Sequence, residues 1–290
     1  MKKSYSLIFL PVLFLCGCSS APKRTMQINT IYKNVTVTIE SANTSMINAN
    51  YDQAENLLNS AYKNAISIDN YDLLTTVCLS FVNLYLSFNE PSLEKAKDYL
   101  EEALYYSDFS ANPEKNKALC TLSSVRYNLA ASKNDYDSYL RELDQSQNLL
   151  KADKYNFALF ESVKADVLKE KKDFAEAERL YLNAAELFTK NRYLGEIGIT
   201  WYKTAQVRSL QNKKASALEA IENAIKYDRD AENSIALGTD YYAKALILLK
   251  ANPSQEEIQK ARESLKHSSK IFDSIGLTSL AQKNLSLIED

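Results

Sequence analysis

From residue 27 onward, small and apolar side chains return at helical spacings with polar residues between them. The clearest form is an alanine, a large apolar residue four positions on, and a small residue three beyond that. It occurs as Ala54, Leu58 and Ala61; Ala96, Leu100 and Ala103; Ala177, Tyr181 and Ala184; and Ala217, Ile221 and Ala224. Ala261, Leu265 and Ser268 close the series, and Tyr139, Leu143 and Ser146 form a weaker copy with a bulky residue in the first place. Such offsets bring side chains onto one face of a helix. Small residues at both ends of the triplet admit a close neighbour, so each triplet predicts the second helix of a helical hairpin.

The first helix of each hairpin has its own register. A small or β-branched residue falls at Ala42, Val82, Ser124, Ala165, Ala205 and Ala245, at intervals of 40, 42, 41, 40 and 40. Four residues earlier stand Thr38, Cys78, Cys120, Glu161, Trp201 and Tyr241, and three later Ser45, Tyr85, Tyr127, Leu168, Arg208 and Leu248. Glu161 and Arg208 break the apolar trend. The first copy is the most polar, and "VTVTI" at 35–39 alternates as a short strand would; its clear partner around Ala54 favours a helix. The hairpins are expected at 27–66, 70–107, 114–151, 155–190, 194–228 and 233–270, with a capping helix over 277–288. An end piece of that kind covers the apolar face that the last repeat would otherwise leave in water.

Composition agrees with an all-α chain. Only 5 Gly and 5 Pro occur in 290 residues, so strand turns and helix breakers are scarce. A 46% hydrophobic content over this length is ample for a buried core. The net charge of −2 lacks the basic excess that nucleic-acid binding requires.

These positions resemble the tetratricopeptide repeat, whose consensus runs W-x₂-L-G-x₂-Y in its first helix and A-x₃-F in its second. Trp201 and Ala217 stand as far apart as the consensus Trp and Ala. The resemblance spans residues 27–290 and implies a right-handed superhelical solenoid of about six hairpins plus the cap. The period is longer than the family's ~34 residues, and most copies lack its Gly and terminal Pro. The longer-helix branch of the family fits better. The resemblance also implies a concave face, lined by first helices, that takes a peptide or a partner's helix. Carried onto this chain, that face holds Leu79, Asn83, Thr121, Val125, Ser162, Asp166, Tyr202, Gln206, Tyr242 and Leu246. The Lys/Asn pattern of members that clamp a terminal carboxylate is absent there. Tyr202 and Tyr242, one repeat apart beside Gln206, offer amphipathic contact area; packing between adjacent hairpins would explain the same tyrosines.

The start of the chain is of another kind. Lys2 and Lys3 precede the apolar run "LIFLPVLFL", the layout of a secretory signal. The run is about half the ~20 apolar residues that a membrane-spanning helix needs. Leu15, Cys16, Gly17 and Cys18 resemble the lipobox of bacterial lipoproteins. That implies a signal peptide over 1–17, acylation of Cys18 as the new N-terminus, and a short tether over 18–26. Ser19 directly after it, with no Asp, resembles lipoproteins sorted to the outer membrane and facing the periplasm. The partners implied are a membrane, through the anchor, and an envelope protein or peptide.

Candidate chemistry is sparse. No phosphate-binding, dinucleotide, zinc-protease or serine-hydrolase motif occurs, and the one histidine, His267, has no constellation around it. Glu101 with Glu102 and Glu256 with Glu257 read as solvated helix surface. Cys78 and Cys120 occupy equivalent repeat positions, about one helix packing distance apart or more (~8–10 Å), and are expected as buried free thiols. No enzyme and no cofactor are expected. Two other classes remain: a small-molecule carrier or transporter-associated lipoprotein that uses the solenoid's concavity and needs an aromatic pocket closed at one end, and a cell-wall hydrolase, which needs a buried acidic pair in a cleft.

Overall fold

The computed structural model describes residues 30–88 and 90–289; the signal, lipobox and tether lie outside them. The described residues form thirteen helices and no strand. Six hairpins follow one another: α1 (Thr30–Ile47) with α2 (Tyr51–Ser67), α3 (Tyr71–Leu86) with α4 (Leu93–Phe109), and α5 (Pro113–Ala130) with α6 (Tyr136–Leu149). Then come α7 (Lys154–Glu170) with α8 (Phe174–Asn191), α9 (Leu194–Leu210) with α10 (Lys214–Asp230), and α11 (Ser234–Leu249) with α12 (Gln255–Ser274); α13 (Thr278–Glu289) packs on α12 as the cap. None of these helices is long and apolar enough to cross a membrane.

The repeated triplets are the seams of the array. Ala54, Leu58, Ala61, Ala177, Tyr181, Ala184, Ala217, Ile221 and Ala224 are all fully buried, as are Ala42, Val82, Ala165 and Ala245 from the first helices. Ser124, which shares that series, is only half-buried. The two charged residues in core register are explained by partners. Glu161 accepts from Gln147 Nε2 at 2.7 Å. Arg208 donates through Nε to Glu178 at 2.8 Å and through a terminal nitrogen to the Ser216 carbonyl at 3.1 Å.

The strand-like alternation at 35–39 is inside α1. There the hydroxyls of Thr36, Thr38, Ser41, Thr44 and Ser45 each donate to the carbonyl four residues back. The helix's own backbone takes up the polar side chains, and Val35, Ile39 and Ala42 are left to face the core.

With few glycines, the turns use other residues in the left-handed region. Asp69, Lys172, Asn212 and Glu232 have φ between 49° and 67°, a conformation that costs a non-glycine residue ~1–2 kcal/mol. The following N–H reaches back over the helix end: Asp173 to the Leu168 carbonyl at 2.9 Å, and Asn233 to that of Asp228 at 2.9 Å. Asp173 and Asn233 then cap the next helix, their side chains accepting from the N–H of Glu176 and Ala236. One residue thus ends a helix and starts its successor.

Each helix packs on the next, and odd-numbered helices also meet one another: α1 with α3, α3 with α5, α5 with α7, and α9 with α11. The odd row is therefore the inner, more tightly curved layer. It bends until α1 touches α11.

Candidate functional site

On the inner row, the last turns of α9 and α11 run side by side and leave an open pocket of about 400 Å³. Tyr202, Gln206 and Leu210 line it from α9, and Tyr242 and Leu246 from α11. Its surface is mostly apolar. Leu210 and Leu246 are 49% and 45% exposed, unusual for leucines on a face between helices. Gln206 Nε2 donates to the Tyr202 hydroxyl at 2.7 Å, which fixes both polar ends at one wall. Burial, and then the charge of Asp240, raise the Tyr202 phenol above its ordinary range, so it stays a neutral hydrogen-bonding group. Lys169 and Glu170, paired at 3.4 Å, close the α7 side. The arrangement has room for an apolar group, with amide and hydroxyl groups beside it.

Four of the ten groove residues expected from sequence, Tyr202, Gln206, Tyr242 and Leu246, meet here. Tyr202 and Tyr242 also pack partly into the hairpin seams, so the same tyrosines line the pocket and join adjacent hairpins. Asp166 and Asn83 lie elsewhere on the row. Asp166 accepts from Lys203 Nζ at 2.7 Å and from the Tyr181 hydroxyl at 2.6 Å. Burial pushes its carboxyl up, but the Lys203 charge and these hydrogen bonds outweigh burial and hold it below the usual range. Asn83 accepts from Arg126 at 3.3 Å. Leu79, Val125 and Ser162, expected on the groove face, are buried. Neighbouring odd helices approach closely enough to cover these positions. Lys169, Glu170, Ser209 and Leu210 were missed, although Ser209 and Leu210 repeat Lys169 and Glu170 at the 40-residue period.

A buried acidic pair does exist. Asp228 on α10 and Asp240 on α11 are 0% and 1% exposed, and none of their four carboxyl oxygens has a donor among the described residues. Burial raises both carboxyls well above the ordinary range, and the neighbouring Asp228 charge raises Asp240 further. Burial of two neighbouring carboxyls disfavours ionisation of both at once. Both are closed off from solvent, in contrast to the acidic pair open to a cleft that a hydrolase needs. His267 is exposed and stacks on Tyr241, with centroids 5.2 Å apart. Among the described residues no cluster of His, Cys, Asp or Glu is placed to hold a metal ion.

Cys78 and Cys120 are buried free thiols in one apolar cluster with Val82, Leu100 and Ala103. Burial, then the charge of Glu102 3.6 Å away, pushes the Cys78 thiol up. Burial pushes Cys120 up to about 12.

No protein-family model matches the chain, and no curated protein matches it. Solved structures do share its architecture. A Rap protein complexed with Competence and Sporulation Factor superposes with a TM-score of 0.62 at 13% identity, covering 90% of this chain and 75% of that one. The apo form of RapI gives 0.54 at 11%, covering 88% and 96%. A signal-transduction ATPase with a tetratricopeptide-repeat sensor, from Pyrococcus horikoshii, gives 0.55 at 16%, covering 87% of this chain and 38% of that one. The fold is thus a tetratricopeptide-like helical solenoid.

Proposed function

We propose that this chain is a lipid-anchored scaffold of the bacterial envelope that binds a protein or peptide partner along its inner helix row, and that it is not an enzyme. The observation that carries the reading is the convergence of Tyr202, Gln206, Tyr242 and Leu246 on one open, mostly apolar pocket. Pockets that take partner side chains pair an apolar floor with few, fixed polar groups. Its openness favours an extended segment over an enclosed small molecule, which keeps the carrier reading second. A structural neighbour complexed with a factor of its own supports partner binding by such a solenoid. Envelope placement rests on the lipobox-like Leu15, Cys16, Gly17 and Cys18, with the outer membrane, periplasmic side, as the expected location.

The test of binding is selection of peptides from a displayed library against the purified chain, followed by titration with a Tyr202→Ala/Tyr242→Ala variant of unchanged melting temperature. Loss of at least about tenfold in affinity, or ~1.4 kcal/mol, is expected. Selected peptides that bind both chains equally refute the pocket. Anchoring is tested separately: Cys18→Ala should leave the membrane fraction and Cys16→Ala should stay.

A further inference from the structure

A second recess, of about 510 Å³, lies between α2 and α4 and has a different chemistry. Its floor is aromatic: the Tyr85 and Tyr99 rings stack 5.8 Å apart at 21°, and Tyr99 continues onto Phe81 at 4.1 Å. Tyr85 and Phe81 are fully buried and Tyr99 is half-buried against them.

Three carboxylates stand around that floor: Glu55, Asp98 and Glu102. Two of them are held in place by phenols. Glu55 accepts from the Tyr85 hydroxyl at 2.6 Å, and Glu102 from the Tyr62 hydroxyl at 2.9 Å. Among the described residues these carboxylates form no cluster placed to hold a metal ion. Fixed negative charge around π faces instead suits a larger cation with a diffuse charge.

The recess already holds one such group. The Lys95 ammonium sits 4.9 Å over the Tyr85 ring and 3.5 Å from Glu55 Oε1. Its side chain is 56% exposed, so the contact is loose and readily exchanged. This single ammonium leaves the lining with an excess of negative charge.

We propose that the recess between α2 and α4 is a binding site for a small organic ammonium ion, which displaces Lys95 and lies against the Tyr85 and Tyr99 rings between Glu55 and Glu102. The Lys95 ammonium marks where the ligand's charge would rest, and the stacked rings would take its alkyl groups. This site is separate from the pocket between α9 and α11 and does not depend on it.

The test is calorimetric titration of the purified full chain with butylammonium and with choline, using 1-butanol as the uncharged control. Saturable binding of an ammonium and none of butanol is expected. Glu102→Gln should weaken binding by about three- to thirtyfold, the range for one desolvated cation contact. Lys95→Met keeps the aliphatic stem, removes the resident ammonium and should tighten binding. Because Lys95 is largely exposed, this variant keeps the test valid if Glu102→Gln proves unstable. Absence of ammonium binding, equal binding of butanol, or a Lys95→Met variant that binds no better would each overturn the proposal.

Discussion

Gly198 of α9 is pressed against Asp228 of α10: a methyl group at Gly198 would lie 2.4 Å from the Asp228 side-chain carbon. A glycine inside a helix weakens that helix by ~0.5–1 kcal/mol relative to alanine. Here it opens the space that the acidic pair fills. Gly198→Ala is therefore expected to destabilise the chain by about 1–3 kcal/mol, as overpacked cores do, despite alanine's better helix propensity. Urea denaturation measures this. Adding Asp228→Ser should recover most of the loss; if it recovers none, the clash is elsewhere.

The acidic pair makes stability depend on pH in an unusual direction. Burial holds the ionisation of both carboxyls well above the unfolded carboxyl's ordinary value, and the Asp228 charge raises Asp240 further. The folded chain thus keeps protons that the unfolded chain has shed. Their contribution is complete below about pH 4 and is lost progressively as pH rises from there through the pair's raised ionisation. Thermal melts from pH 5 to 9 should show falling stability on the alkaline side. Asp240→Asn should flatten that fall, and an unchanged slope would place the titration in other groups.

Glu178 receives three donors from the turn region: Arg208 at 2.8 Å, Gln211 at 3.0 Å and Lys213 at 3.0 Å. Burial pushes its carboxyl up, and these donors more than offset that and hold it below the ordinary range. Glu178→Ala would strand the Arg208 guanidinium, only 14% exposed, without a carboxylate. The expected loss is about 2–4 kcal/mol. A double-mutant cycle with Arg208→Ala should show strong non-additivity; simple addition of the two losses would count against the pair.

The thiols give a probe of local opening. Both are buried and their ionisation is suppressed, so in a Cys16→Ala/Cys18→Ala chain neither should react with a thiol reagent under native conditions. Labelling should appear with denaturant in step with unfolding. Fast labelling in buffer would mean that the second and third hairpins open by themselves.

Much of the architecture was legible because each repeat writes the same small-large-small face into its second helix, and burial of Ala54, Leu58 and Ala61 or of Ala217, Ile221 and Ala224 follows from that spacing alone. Tyr202, Gln206, Tyr242 and Leu246 were within reach for a related reason: 40 residues separate equivalent points on adjacent inner helices. Local spacing does not report how closely those helices approach, so Leu79 and Val125 were expected on a surface that their neighbours cover. Asp166 gave no sign of Lys203, its partner from the next hairpin. Asp228 and Asp240 stand outside the repeated register and look like ordinary surface acids. Only the fold brings them together.

An open solenoid is energetically a line, in which each repeat leans on its neighbours and the two ends fray without consulting one another. The touch between α1 and α11 adds a cross-link between the first and the sixth hairpin. Loosening the first hairpin removes support from the sixth, and loosening the sixth does the same to the first.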